Sequence, residues 1–272
     1  MKCLDIPVDH RLLPIIQQMK IPPSEQPSSH LTILNNFAEN HPTGTPIPSS
    51  EIHHGLELAG PDRKGGVLVT LLQPPRTQTY ENGYPADLAS CPTTKAVNEL
   101  IATATNHQLS IDEVCAFDRL PYVHGGFNND DDEVIQEAER TFEDMVRTKE
   151  PQVVLCCYGQ KSSLMRGEIT WGLYGQGVGE VFKVPEFAIS SDCTTKRVNA
   201  FHPSYAVNYY TSYSCFRRLL LLEFVQAFCL LVGPWKEEQW MRDLRSECSS
   251  LGKRLYSNGF WMNPLFLFLS VY

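Results

Sequence analysis

No stretch of this chain approaches the roughly 18 consecutive apolar residues that a membrane-spanning helix needs. The longest apolar run, 219–232, is interrupted by Glu223 and Gln226, and the tail 264–272 is too short. The first residues, Met-Lys-Cys-Leu-Asp-Ile-Pro, carry no apolar core of signal-peptide length. The expectation is an intracellular protein, in nucleus or cytoplasm, without a membrane partner. Basic excess is also missing, because the formal net charge is -8. That counts against tight nonspecific binding to a polyanion, which needs a basic footprint.

Several short motifs are absent too. No two of the nine cysteines stand in Cys-x-x-Cys spacing, and their number is odd. Zinc sites and a disulfide framework are therefore not indicated, and buried reduced thiols are expected. The acidic run Asp130-Asp131-Asp132 lacks the alternation of a calcium loop. Gly175-Gln176-Gly177-Val178-Gly179 lacks dinucleotide spacing and opens no helix. No Gly-x-Ser-x-Gly elbow or Walker loop occurs. His53-His54 has no acidic or cysteine partner at ligand spacing, and both read as surface histidines. No metal or cofactor is expected.

What is present is a core. Hydrophobic residues make up 42% and aromatics 10%, the proportions of a globular protein. Residues 1–66 read as an appendage, rich in Pro, Ser and Thr at 21–29 and 41–50, with short helices near 10–19 and 31–38. Val67–Leu72 is a β-branched apolar run closed by Gln73-Pro74-Pro75, a buried strand and a rigid turn. A polar loop follows over 76–89. Thr93 or Thr94 caps a helix to about Thr105. Further strands are expected at 114–117, 152–158, 187–190 and 197–201, with a hairpin over 167–184. Helices are expected at 132–149, from 213 or 214 to 232, and at 235–255. The tail 258–272 fits neither a cap nor an amphipathic face.

Strand and helix therefore alternate across 67–158, the pattern of a mostly parallel sheet between two helical layers. The fold expected is α/β, a three-layer αβα domain over 67–232, with 1–66 before it and a helix and short tail over 233–272 after it. In such sheets ligands bind beyond the carboxyl ends of the strands. Those ends carry Gln73, Asp118, and His202 with Ser204. Pro203 disfavours helix at His202 and cannot donate to a ladder, so strand pairing stops there.

This order of features resembles the uracil-DNA glycosylase superfamily. The matching segments are Leu71-Leu72-Gln73-Pro74-Pro75, Tyr80 or Tyr84, the proline-led helix from Cys91-Pro92 to Leu100, Ala116-Phe117-Asp118, Val153–Gly159, and Phe201-His202-Pro203-Ser204. The resemblance covers roughly 67–232. It implies a metal-independent DNA-repair hydrolase, acting on an N-glycosidic bond after capturing a nucleobase in a pocket. By position, His202 is the electrophile facing the leaving base and Gln73 holds the water-positioning place. Asp118 reads the base, Tyr80 or Tyr84 stacks on it, and Ser204 with Pro203 meets a DNA phosphate.

Two departures are chemical. Gln73 stands where the family has Asp or Asn, and an amide orients water without acting as a base. Asp118 stands where the family has Asn, and an ionised carboxylate only accepts, which suits amino-bearing bases over uracil. Two readings follow. One is a divergent glycosylase that excises or binds a damaged or mismatched base. The other is an inactive glycosylase fold that binds a nucleotide or protein partner. Gln73 tilts toward the second, and a basic strip from Lys161, Arg166, Lys196, Arg197, Arg217 and Arg218 would favour DNA. His202 alone also reads as a ring bonded to its own loop.

Overall fold

The computed structural model describes residues 6–24, 26–74, 80–123, 132–157, 181–183, 195–204, 206–207 and 211–257. Its strands are β1 (Val67–Leu71), β2 (Cys115–Asp118), β3 (Val153–Cys156), β4 (Val181–Lys183) and β5 (Lys196–Asn199). They form one sheet in the order β2-β1-β3-β5-β4. The first four in that order are parallel, and β4 is antiparallel on β5 at the edge.

The helices are α1 (Leu13–Gln18), α2 (His30–Glu39), α3 (Ser49–Ala59), α4 (Tyr84–Ser90), α5 (Pro92–Ala104), α6 (Asp132–Lys149), α7 (Ser214–Val232) and α8 (Gln239–Ser257). Strand side chains alternate between two apolar clusters, as a pleated strand requires. Val67, Val69 and Leu71 of β1 meet α1, α5, α7 and α8, whereas Leu68 meets α2 and α6. Parallel strands covered on both faces read as unbroken apolar runs, and every residue of β1 and β3 is buried. The result is the expected three-layer αβα arrangement.

α7 is apolar on several sides, and β3, β5, α5 and α8 all pack on it. Phe216, Leu221, Leu222, Phe224 and Phe228 are each at most 1% exposed. No helix among the described residues is long and apolar enough to cross a membrane. Every described cysteine is a free thiol.

Two expectations need correction. The 76–89 loop contains α4, opened by Gly83 at φ 81° and by Pro85 in its first turn. Proline suits that position because its missing N–H has no helical partner there. The segment 49–59 is helical, which places one of the two neighbouring histidines inside. Successive helical side chains diverge by about 100°; His54 is 5% exposed while the His53 side chain stays 64% exposed. The 1–66 segment thus supplies three helices, and Leu12, Ile16, Leu34, Phe37 and Leu58 from it join the two clusters. The glycine cluster at 175–179, the strand expected at 187–190 and the tail lie outside the described residues.

Candidate functional site

The carboxyl ends of β1, β2 and β5 open into one cavity of about 130 Å³. Gln73 reaches it two residues beyond β1, Asp118 as the last residue of β2, and His202 three residues beyond β5. Tyr80, Phe117 and Tyr122 give it aromatic walls, and Thr93 and Thr94 contribute from the start of α5. Four residues singled out in the sequence therefore share one space: Gln73, Tyr80, Asp118 and His202.

The remaining expected residues sit just outside. Tyr84 is buried behind the wall, with its ring 5.2 Å from His54 and its hydroxyl donating to Asp112 Oδ1 at 3.1 Å. Pro203 is buried. Ser204 Oγ lies 2.7 Å from His202 Nδ1, and the Ser204 backbone N–H points at the same nitrogen at 3.3 Å. A backbone N–H can only donate, so Nδ1 is the acceptor and the ring proton resides on Nε2. The hydroxyl donates to Nδ1 as well.

His202 keeps partial access to the cavity, yet protein atoms surround its ring closely enough that burial pushes its pKa down to about 4. The imidazole is neutral at physiological pH, with one N–H to offer. Burial, reinforced by Asp118, also raises the Tyr80 phenol, so it remains protonated.

α3 closes the cavity with Glu51, His54, Gly55 and Leu58. Glu51 is 7% exposed, and the His54 ring packs on Tyr80 at 4.7 Å. Burial lowers the His54 pKa, against the pull of Asp87 and Glu51. His54 Nδ1 is buried without a hydrogen-bond partner among the described residues, and so is Oδ2 of Asp87. Sequence reading missed this wall. The signal was present only as Glu51, Leu58 and Ala59 at helical spacing, with serine and glycine diluting it.

Gly55 lets α3 approach so closely. A Cβ there would lie 2.7 Å from Tyr122 Oη and 3.1 Å from its ring. Tyr122 is 4% exposed and holds a left-handed backbone at φ 58°, so its ring has little room to yield. Gly55→Ala gains about 1 kcal/mol of helix propensity and loses roughly 1–3 kcal/mol to overpacking. The expected result is a small net change in denaturant midpoint but a distorted cavity.

A second constellation resembles a nucleophilic triad. Cys115 Sγ lies 3.6 Å from His30 Nε2, and His30 Nδ1 lies 3.2 Å from Asp62. It is sealed, with Cys115 1% and His30 0% exposed. Burial pushes the Cys115 thiol up to about 12, and it donates to the Ala59 carbonyl at 2.9 Å. A thiolate is required for attack, whereas here the sealed thiol and ring tie α2 and α3 to β2.

The basic strip that would favour DNA does not assemble from Lys196, Arg197, Arg217 and Arg218. Arg197 is 1% exposed, Lys196 donates to the Leu230 carbonyl at 3.2 Å, and Arg218 pairs with Asp9 at 2.7 Å. Arg217 donates to the Thr211 carbonyl; Lys161 and Arg166 lie outside the described residues. Arg119, beside Asp118, pairs with Glu139 on α6 at 3.1 Å. Searches with this sequence find no protein-family model that matches it and no similar curated protein.

Proposed function

We propose that this chain is a divergent uracil-DNA glycosylase-like protein whose cavity captures a single nucleobase. The observation that carries the reading is the meeting of Gln73, Tyr80, Asp118 and His202 in one space at the strand ends. Its volume of about 130 Å³ is of the same order as the roughly 150 Å³ of a cavity that accommodates benzene. Tyr80 supplies a face for the ring, and Asp118 reads its edge. His202 directs a neutral Nε2–H at charge developing on a departing base, an electrostatic form of assistance. Gln73 orients a water toward the sugar carbon without taking its proton. Cleavage of an N-glycosidic bond is the reaction these groups fit.

A second reading, a binding module that has lost excision, is favoured by two observations. Gln73 cannot serve as a base, and Lys196, Arg197, Arg217 and Arg218 are each buried or engaged by protein groups. The test is a base-excision assay. Labelled single- and double-stranded oligonucleotides carrying uracil, hypoxanthine, xanthine or a G·T mismatch are incubated with the protein and heated in alkali. Strand scission that disappears in His202→Ala establishes excision. No scission on any of these substrates by a folded protein removes the excision claim for those bases. Filter binding on the same oligonucleotides then separates a DNA-binding remnant from a module for free bases or nucleotides.

A further inference from the structure

We propose that the Tyr80 hydroxyl is a hydrogen-bond donor of this cavity, acting with the Nε2–H of His202 to hold carbonyl oxygen on a bound ring. This rests on the nucleobase reading above and names the group that its ligand presents.

Three phenols stand on the aromatic side of the cavity. Tyr84 Oη donates to Asp112 at 3.1 Å, and Tyr122 Oη donates to the Ile52 carbonyl at 3.5 Å. Tyr80 is the exception. It lines the cavity and is 8% exposed, yet its Oη donates to no protein group among the described residues. Buried polar groups in native structures are nearly always paired. The Tyr80 oxygen is also not sealed, in contrast to Nδ1 of the neighbouring His54. A ligand that enters the cavity can therefore complete it.

The group that completes it is an acceptor. Burial, reinforced by Asp118, keeps the phenol protonated, so its O–H is free to donate. His202 offers the second donor. Its Nδ1 accepts from Ser204, and its Nε2–H has no protein acceptor among the described residues. A carbonyl oxygen carries two lone pairs and accepts from either kind of donor. Both donors are held in place beforehand. The His54 ring packs 4.7 Å from that of Tyr80, and Ser204 fixes the imidazole. Holding donors in their bound arrangement lowers the cost of ordering them on binding.

The experiment titrates the full chain and its Tyr80→Phe variant with uracil, cytosine and benzene by calorimetry. Both pyrimidines carry a carbonyl oxygen, and benzene carries no acceptor atom. Tyr80→Phe keeps the aromatic ring and removes only the hydroxyl. It should bind both pyrimidines about three- to tenfold more weakly, the worth of one hydrogen bond, and benzene as the wild type does. Its melting temperature should not fall, because no protein hydrogen bond is lost. That last readout separates a ligand donor from a structural hydroxyl. Unchanged affinity for the two pyrimidines would overturn the donor role and leave the nucleobase reading standing. Equal weakening toward benzene would show that the variant acts through cavity shape, and a lowered melting temperature would show a protein partner; either overturns the proposal. No binding of uracil or cytosine to folded wild-type protein would end the nucleobase reading and this one with it.

Discussion

Arg245→Ala should destabilise the protein by about 3–5 kcal/mol, the cost of stranding a buried charge. Glu223 lies within α7 with 0% exposure. Arg245 of α8 grips it with two hydrogen bonds, Nε to Oε1 at 3.1 Å and Nη2 to Oε2 at 3.3 Å. The same guanidinium donates to Gln226 at 2.9 Å and to Glu237. Burial already raises the Glu223 carboxyl to about 7, against the pull of Arg245. A carboxyl whose folded pKa exceeds its unfolded one holds more protons folded than unfolded. Its contribution therefore favours folding at low pH and is lost as pH rises from the ordinary glutamate range toward 7. Removing Arg245 raises the folded pKa further, so the variant should lose more at pH 8 than at pH 5. Guanidinium unfolding at the two pH values measures the difference. Arg245→Met with Glu223→Met should recover most of the loss, since apolar replacement of a buried pair is often neutral. A single-variant cost below about 1 kcal/mol would mean that water reaches Glu223 once the arginine is gone.

Much of this architecture can be read from the chain because it is written in short-range pattern. β3 is an unbroken apolar run, β1 is one but for Thr70, and α7 is long, largely apolar and stopped by Gly233-Pro234. Strand ends follow from the same signal, which is why Gln73, Asp118 and His202 could be named before their distances were known. α3 escaped because its stability is tertiary. Its middle reads Glu51-Ile52-His53-His54-Gly55, with glycine where a helix loses about 1 kcal/mol relative to alanine. Packing against β2 and α2 compensates, and no local spacing announces those contacts. The consequence reaches the cavity, since Glu51 and His54 line it from a segment read as an appendage. Glu223 shows the same limit. In the sequence it interrupts an apolar run, and its partner stands 22 residues away on another helix. The basic residues near β5 show the same limit, because β5 lies between β3 and β4 and takes Arg197 inside with it while Lys196 stays partly exposed.

His202→Ala should reduce single-turnover excision by about 10²–10³-fold on whichever oligonucleotide is cleaved, the usual consequence of deleting one donor to developing charge. On the proposed reading, affinity for the intact substrate should change less, because Tyr80 and Asp118 would still hold the ring. Ser204→Ala is the milder companion. It removes the hydroxyl from Nδ1 at 2.7 Å but keeps the backbone N–H that sets the tautomer, so a loss of about tenfold or less is expected. The pH profile separates a neutral electrophile from a charged one. Burial lowers the ring pKa to about 4, so His202 is uncharged throughout pH 5–8 and its proton on Nε2 is available at every point. The contribution of His202 to the rate should then be flat over that range. Stability follows with its own sign: the folded ring binds fewer protons than the unfolded one, so folding weakens as pH falls from the ordinary histidine value toward 4. An acid limb near pH 6.5 in the wild-type rate that vanishes in His202→Ala would show the ring titrating normally. Catalysis would then run through the imidazolium, and the Ser204 backbone N–H could not be its partner.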